Sequence, residues 1–131
     1  MMGGIRSQTE LTAVVAIETL CRECFETARS KGWWDDLLNI PEKIALMHSE
    51  LSEALEDYRE GRMGTRLRYD STVSPVIEEK PEGFWTELAD VLIRIFDFAG
   101  HHDGGEALAD ALVLKMRFNA TRPYRHGGKK A

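Results

Sequence analysis

The sequence predicts an all-α fold, a four-helix-bundle-like arrangement of four main helices in one domain. Four separate stretches of the 131-residue chain place apolar residues three and four positions apart, which is the spacing of one helix face. Glycine or proline lies at the boundaries of these stretches, where such residues begin and end helices. No stretch alternates apolar and polar residues convincingly, as a strand would. We therefore expect a single domain over residues 1–131, with room for a small hairpin in the connection 61–82.

The composition argues against nucleic-acid and membrane partners. The formal net charge is −5, whereas nonspecific nucleic-acid binding needs a basic surface. No stretch approaches the roughly 18 consecutive apolar residues of a membrane span, and the polar N-terminus does not resemble a signal peptide. We therefore expect a cytoplasmic protein.

The first helix is predicted from the capping box Ser7–Glu10 to about Ser30, just before Gly32. Its candidate buried residues are Leu11, Val14, Val15, Ile17, Leu20, Cys21, Cys24 and Phe25. Two adjacent tryptophans, Trp33 and Trp34, follow the helix. Their rings either cover the core or stack on the planar base of a ligand, and the sequence does not choose between these roles.

The second helix is predicted to begin near Pro41 and to end at Gly61. Its apolar stripe consists of Ile44, Met47, Leu51, Leu55 and Tyr58. Three acidic residues, Glu50, Glu53 and Asp57, lie within an arc of roughly 60° along the edge of that stripe. Because residues three apart are one helical turn from each other, Glu50 and Glu53 can converge on one point.

The connection 61–82, longer than the loops of most compact domains, carries Arg62, Arg66 and Arg68 near the acidic residues of the second helix. It is interpreted either as a flexible surface loop or as a lid that closes over the phosphates of a substrate. Both interpretations stay open.

The third helix, predicted from Pro81 to Gly100, is the most apolar. Its apolar residues cover nearly the whole circumference: Phe84, Leu88, Val91, Leu92, Ile93, Ile95, Phe96 and Phe98. A helix of this kind is normally buried, and buried carboxylates must be paired or bound to a metal. We therefore expect Glu87 and Asp90 to need a cation, supplied partly by Arg94 and partly by a metal ion.

Two acidic pairs, one on each of these helices, together predict a metal site. Glu87 and Asp90 are three residues apart, as Glu50 and Glu53 are. Four facing carboxylates would repel one another, and a hard divalent cation with oxygen ligands removes that repulsion. The expected ion is Mg²⁺, with Mn²⁺ as its alternative.

The fourth helix is predicted from Glu106 to Asn119, and it presents Lys115 and Asn119 on one face. Its apolar set is Leu108, Leu112 and Met116, flanked by Ala107 and Ala111. The basic tail 120–131 contains Arg122 and Arg125 and is predicted to be nonhelical. The tail is either a disordered terminus or a segment that folds over the metal site to hold phosphate.

The paired motifs resemble those of MazG-type all-α nucleoside triphosphate pyrophosphohydrolases. The likeness covers roughly residues 25 to 130. It is carried by Glu50-x-x-Glu53, Glu87-x-x-Asp90 and the segments KGWW, ALMHSELSEALEDYREG, ELADVLIRI and KMRFNATRPYRHGGKK. It implies an oligomeric enzyme that cleaves (d)NTPs between the α- and β-phosphates and releases a nucleoside monophosphate and pyrophosphate.

The resemblance also implies roles for individual residues. The metal ligands are Glu50, Glu53, Glu87 and Asp90, and Glu53 is the favoured residue to orient the attacking water. Trp33 or Trp34 contacts the base. The candidates for holding phosphates are Lys115, Asn119, Arg122 and Arg125. Relatives often carry a tyrosine where this chain has Arg94, which either pairs with Asp90 or Glu87 and weakens metal binding, or contacts phosphate.

A homodimer or homotetramer is expected, because three other helices of so short a chain can hardly cover Phe84, Trp85, Ile93 and Phe96. The competing interpretation is a helical oligomerisation or adaptor module without catalytic activity. In such a module the acidic residues would form ion pairs between helices. A diiron carboxylate bundle is disfavoured because it needs Glu-x-x-His pairs.

Overall fold

Five helices make up the secondary structure of the computed structural model, which describes residues 4–64, 80–128 and 130. They are α1 (Gln8–Ser30), α2 (Ile40–Arg59), α3 (Phe84–Asp103), α4 (Glu106–Thr121) and α5 (Arg125–Gly128). No strand occurs among the described residues, so the all-α class with four main helices is confirmed. The prediction of a nonhelical tail is wrong for Arg125–Gly128, which form the single turn of α5. Arg66, Arg68 and the hairpin considered for the connection lie outside the described residues.

The helix starts follow the local sequence signals. The capping box is formed, since the backbone N–H of Ser7 donates to Glu10 Oε1 at 2.8 Å and that of Glu10 donates to Ser7 Oγ at 3.1 Å. At α2 the side chain of Asn39 accepts from the backbone N–H of Glu42 at 3.0 Å. Asp103 accepts from the N–H groups of Gly105 and Ala107 at the start of α4. Each cap satisfies a backbone donor that has no partner within its helix.

The predicted limits of the third helix are wrong at both ends. It begins at Phe84 instead of Pro81 and continues through Gly100 to Asp103. A Cβ atom on Gly100 would lie 2.2 Å from the carbonyl oxygen of Cys21 and 2.7 Å from Phe25 Cβ. Gly100 therefore permits close packing of α3 against α1, and it does not terminate the helix.

The chain divides into two compact units. The terminal unit consists of Met1–Ala28 and Phe96–Ala131, and the central unit consists of Arg29–Ile95. Their boundary falls inside α3. None of the described helices is long and apolar enough to cross a bilayer.

The core of the terminal unit is made of small side chains. Cys21 is fully buried, and a Cβ atom on Gly105 would lie 2.6 Å from its Sγ. Ala109 and Val113 follow Gly105 at four-residue intervals on α4 and are also buried. The predicted apolar face of α4 is only partly right: Leu108 and Leu112 are partly buried, but Met116 is half exposed and the most buried side runs through residues 105, 109 and 113. Close packing at Cys21, which helical periodicity does not reveal, selects the side with the smallest residues.

Ion pairs fasten the start of α1 to α4 within the terminal unit. Arg117 binds both carboxylate oxygens of Glu10, with distances of 2.6 and 2.9 Å, and Arg6 pairs with Asp110. The predicted buried face of α1 is only partly right, because Leu11, Val15 and Leu20 are exposed.

The central unit leaves much of its apolar surface uncovered. A stripe along α2 is exposed by 43 to 60% at each of Ile40, Ile44, Leu51, Leu55 and Tyr58. Trp85, Leu92 and Ile93 on α3 are exposed by about half as well. The expectation that α3 is buried on nearly all sides is therefore wrong for the single chain, in which Phe96, in the terminal unit, is the one buried residue of α3.

Candidate metal centre

Three of the four predicted metal ligands lie together in the central unit. Glu50 and Glu53 extend from α2 and Glu87 extends from α3, and one carboxylate oxygen of each lies within 4.8 Å of the others. The two α2 residues are one turn apart, as their spacing predicts. We call Glu50, Glu53 and Glu87 the carboxylate trio. Asp90 is one turn beyond Glu87 and does not belong to this group.

A network around Arg62 ties the end of α2 to the start of α3. The Arg62 guanidinium donates to Asp57 Oδ1 from Nε and Nη2, both at 2.7 Å. Its backbone N–H donates to the carbonyl of Asp57 at 2.8 Å, and its own carbonyl accepts from the N–H of Phe84 at 3.1 Å. Asp57 is the one charged residue that is buried in the described part of the chain. Because Phe84 is the first residue of α3, this network holds Glu87 beside the acids of α2.

The prediction that Arg62 lies near the acidic residues of α2 is confirmed by its contact with Asp57, whereas the burial of Asp57 and the link from Arg62 to α3 were not predicted. The sequence placed Asp57 at the edge of an apolar stripe and Arg62 in a connection. An acidic residue in the last turn of a predicted helix, followed by an arginine just after the helix, is the sequence signal that could have identified the pair.

The electrostatics of the trio show that its charges repel one another. Burial raises the pKa of Glu87 to about 7, with further contributions from its hydrogen bond with Glu53 and from the charges of Glu53, Asp90 and Glu50. Burial and the charge of Glu50 also raise the pKa of Asp90, whereas Arg94 and Lys80 act in the opposite direction. Protonation of Glu87 and binding of a cation would each relieve this repulsion.

This donor set fits a hard divalent ion. Three clustered carboxylates offer oxygen ligands only, which suit Mg²⁺ or Mn²⁺ better than softer metals. Neither histidine nor cysteine belongs to the group that the described residues form.

Arg94 pairs with a carboxylate that the sequence did not indicate. Its Nε and Nη2 atoms both lie 2.8 Å from Glu50 Oε1. The predicted partners of Arg94 were Asp90 and Glu87 on its own helix, α3. The observed partner, Glu50, belongs to α2. Helical spacing cannot reveal a contact between residues 44 positions apart.

A cleft of about 400 Å³ opens beside the trio. It is lined by Glu53, Glu56, Asp57, Arg62, Lys80, Glu82 and Glu87. Lys80 and Arg62 are its cationic groups, and the sequence analysis did not single out Lys80, Glu56 or Glu82. A cleft that combines clustered carboxylates with cations has the charges that a complex of metal and phosphate requires.

The two tryptophans of the central unit differ in their surroundings. Trp33 is 73% exposed. The ring of Trp34 is partly buried and lies under Lys43, whose Nζ is 4.2 Å from the ring centroid. Trp33 thus has the more accessible ring, and the contact with a base stays a prediction for both residues.

The four predicted phosphate-binding residues belong to the terminal unit, where three of them lie beside aromatic rings. The Nζ atom of Lys115 and the guanidinium of Arg122 lie 5.1 and 5.6 Å from the centroid of the Phe118 ring. Arg125 lies 5.6 Å from the ring centroid of Tyr124, and the carbonyl of Asn119 accepts from the N–H of Arg122. A role for these four residues in binding phosphate stays a prediction.

No protein-family model, curated protein or solved structure matches this chain at a significant level. The resemblance to MazG-type enzymes therefore rests on the motifs alone. What the geometry defines independently is a cluster of carboxylates from two neighbouring helices, beside a charged cleft.

Proposed function

We propose that the protein is a Mg²⁺-dependent nucleoside triphosphate pyrophosphohydrolase that converts (d)NTPs to (d)NMPs and pyrophosphate. The observation that carries the proposal is the carboxylate trio, whose oxygens lie within 4.8 Å of one another on two helices. The raised pKa of Glu87, caused first by burial and then by its acidic neighbours, fits a site at which a cation would offset negative charge. The resemblance of the paired acidic motifs supplies the substrate class and the bond that is cleaved.

Glu50, Glu53 and Glu87 would hold the metal ion, with Asp90 contributing from the next turn of α3. When bound, Mg²⁺ neutralises phosphate oxygens and lowers the pKa of a coordinated water. Glu53 is exposed and hydrogen-bonded to Glu87. It is therefore the member of the trio that is best able to accept a proton from water and to orient that water towards phosphorus.

The remaining substrate contacts are proposed from the sequence and from the resemblance to MazG-type enzymes. Trp33 or Trp34 stacks on the base. Lys115, Asn119, Arg122 and Arg125 hold phosphate oxygens, for which arginine provides two parallel N–H groups and lysine a point charge.

A second copy of the chain is the proposed partner. The stripe Ile40–Tyr58 on α2 exposes five large apolar side chains, and exposed patches of this kind usually mark an interface. A homodimer or homotetramer would cover the stripe. Static light scattering at micromolar concentration checks this, and a monomer would contradict it.

The same exposed stripe favours one alternative, a helical oligomerisation or adaptor module without catalysis. A panel of nucleoside triphosphates, incubated with Mg²⁺ or with a chelator, separates the two functions. The enzyme releases pyrophosphate only with Mg²⁺, and the Glu53→Gln variant loses this activity. Glu42→Gln, in the first turn of α2 and outside both the trio and the cleft, is the matched control and should stay active. An inactive wild type that still forms oligomers would support the adaptor.

A further inference from the structure

The ion pair between Arg94 and Glu50 has a geometry that suits displacement. Both N–H groups of Arg94 contact the same oxygen, Glu50 Oε1, whereas the strongest arginine–carboxylate pairs use two oxygens in parallel. The side chain of Arg94 is 39% exposed and that of Glu50 is 12% exposed. A released guanidinium therefore finds water readily, while the carboxylate remains in the cluster.

Charge balance explains why a cation lies at Glu50 at all. The carboxylate trio lies within 4.8 Å, the charge of Glu50 also acts on Asp90, and Arg94 is the arginine that pairs with a member of this acidic group. The guanidinium of Arg94 offsets part of the negative charge that Glu50 brings to the group. A divalent ion would offset the same charge, so the ion and the guanidinium compete for one group.

We propose that Arg94 is a displaceable counter-ion of the carboxylate trio, which occupies Glu50 in the metal-free protein and thereby lowers the affinity of the trio for divalent cations. This inference rests on the proposed metal-binding function. Arg94 is thus a residue that tunes affinity, and it is not a ligand. The trio would bind its ion only when the ion is abundant enough to displace the arginine.

The test is Mn²⁺ binding by isothermal titration calorimetry at about pH 8, above the pKa of Glu87 of about 7. Removing one unit of positive charge beside the site in Arg94→Gln should tighten Mn²⁺ binding about tenfold, a value that allows for screening by solvent. Arg94→Lys keeps the charge and should stay within about threefold of the wild type. Arg117→Gln, which removes an arginine paired with Glu10 in the terminal unit, is the matched control and should bind Mn²⁺ as the wild type does.

A double-mutant cycle shows whether Arg94 acts through Glu50. In the Glu50→Gln background, the Arg94→Gln change should alter Mn²⁺ affinity by less than about twofold, because the competing pair no longer exists. A second readout is thermal unfolding without metal. Arg94→Gln should unfold at a lower temperature than the wild type in a chelator and should gain more from added Mn²⁺.

The outcomes separate this inference from the function on which it rests. Tighter binding by Arg94→Gln that disappears in the Glu50→Gln background supports the inference. Equal or weaker binding by Arg94→Gln overturns it and leaves the metal site standing, since the arginine would then be neutral or would orient Glu50. If neither the wild type nor Arg94→Gln binds Mn²⁺ at millimolar concentration, the metal site and the inference fail together.

Discussion

The metal-free protein should lose stability as the pH rises from about 5 to about 8, and the substitution Glu87→Gln should remove that loss. The pKa of Glu87 is raised from 4.5 to about 7 by burial and by its acidic neighbours. A group whose pKa is higher in the folded state stabilises that state fully below its unfolded pKa. This stabilisation is lost as the pH rises through the folded value.

The size of the effect follows from the shift. A rise from 4.5 to about 7 corresponds to roughly 3 kcal/mol for a group fully shielded from water. Glu87 is only partly buried, so its interactions are screened, and we expect the free energy of unfolding to fall by about 1 to 2 kcal/mol across this range. An amide at position 87 can still donate to Glu53 but carries no charge at any pH, so its profile should be flat over the same range.

Urea denaturation in a chelator, followed by circular dichroism at several pH values, measures this difference. Glu56→Gln serves as the control for removing an acid of the same cleft outside the trio, and it should retain the pH dependence of the wild type. The reasoning would be refuted if Glu87→Gln lost as much stability as the wild type between about pH 5 and about pH 8.

Three further predictions concern the terminal unit. Gly100→Ala should destabilise the protein by about 1 to 3 kcal/mol in urea denaturation, because the new Cβ would lie 2.2 Å from the carbonyl oxygen of Cys21. Replacing glycine by alanine inside a helix usually stabilises it, so a more stable variant would contradict the close contact of α3 with α1. Arg117 lowers the pKa of Glu10 to about 2 through hydrogen bonds, with the backbone of Ser7 contributing. The ion pair therefore stabilises the fold above about pH 4.5, and this stabilisation is lost as the pH falls towards 2. The melting temperature of Arg117→Gln should lack this acid-side decrease, and a decrease equal to that of the wild type would contradict the role of the pair. Deleting residues 121–131 should raise the KM for triphosphates and leave the circular dichroism of the main helices nearly unchanged, whereas unaltered kinetics would leave the tail without a role.

The helices could be predicted because their signals are local. The capping box Ser7–Glu10 and the proline in the first turn of α2 act within a few residues of the chain, and the structure has both. Which face of a helix is buried depends on its neighbour instead. Gly105 lies against Cys21, and the buried residues Ala109 and Val113 follow it on the same side of α4. The apolar spacing within α4 holds no information about the contact with Cys21.

The same distinction applies to the site. Spacing within one helix brought Glu50 beside Glu53, and the expectation that α2 and α3 face each other brought in Glu87. The contacts between Arg94 and Glu50 and between Arg62 and Asp57 depend on side-chain positions across or beyond helix ends. The contact of Arg94 with Glu50 joins two helices and is revealed only by the folded chain, whereas Asp57 and Arg62 are five residues apart, close enough for a local sequence signal.

The products formed from a nucleoside triphosphate during a Mg²⁺ titration test the central claim most directly. The proposed activity predicts that nucleoside monophosphate and pyrophosphate appear in equal amounts, with a rate that rises with Mg²⁺ and falls to background in a chelator and in Glu53→Gln. Release of orthophosphate with a nucleoside diphosphate, or no release from any triphosphate at any Mg²⁺ concentration, would contradict it.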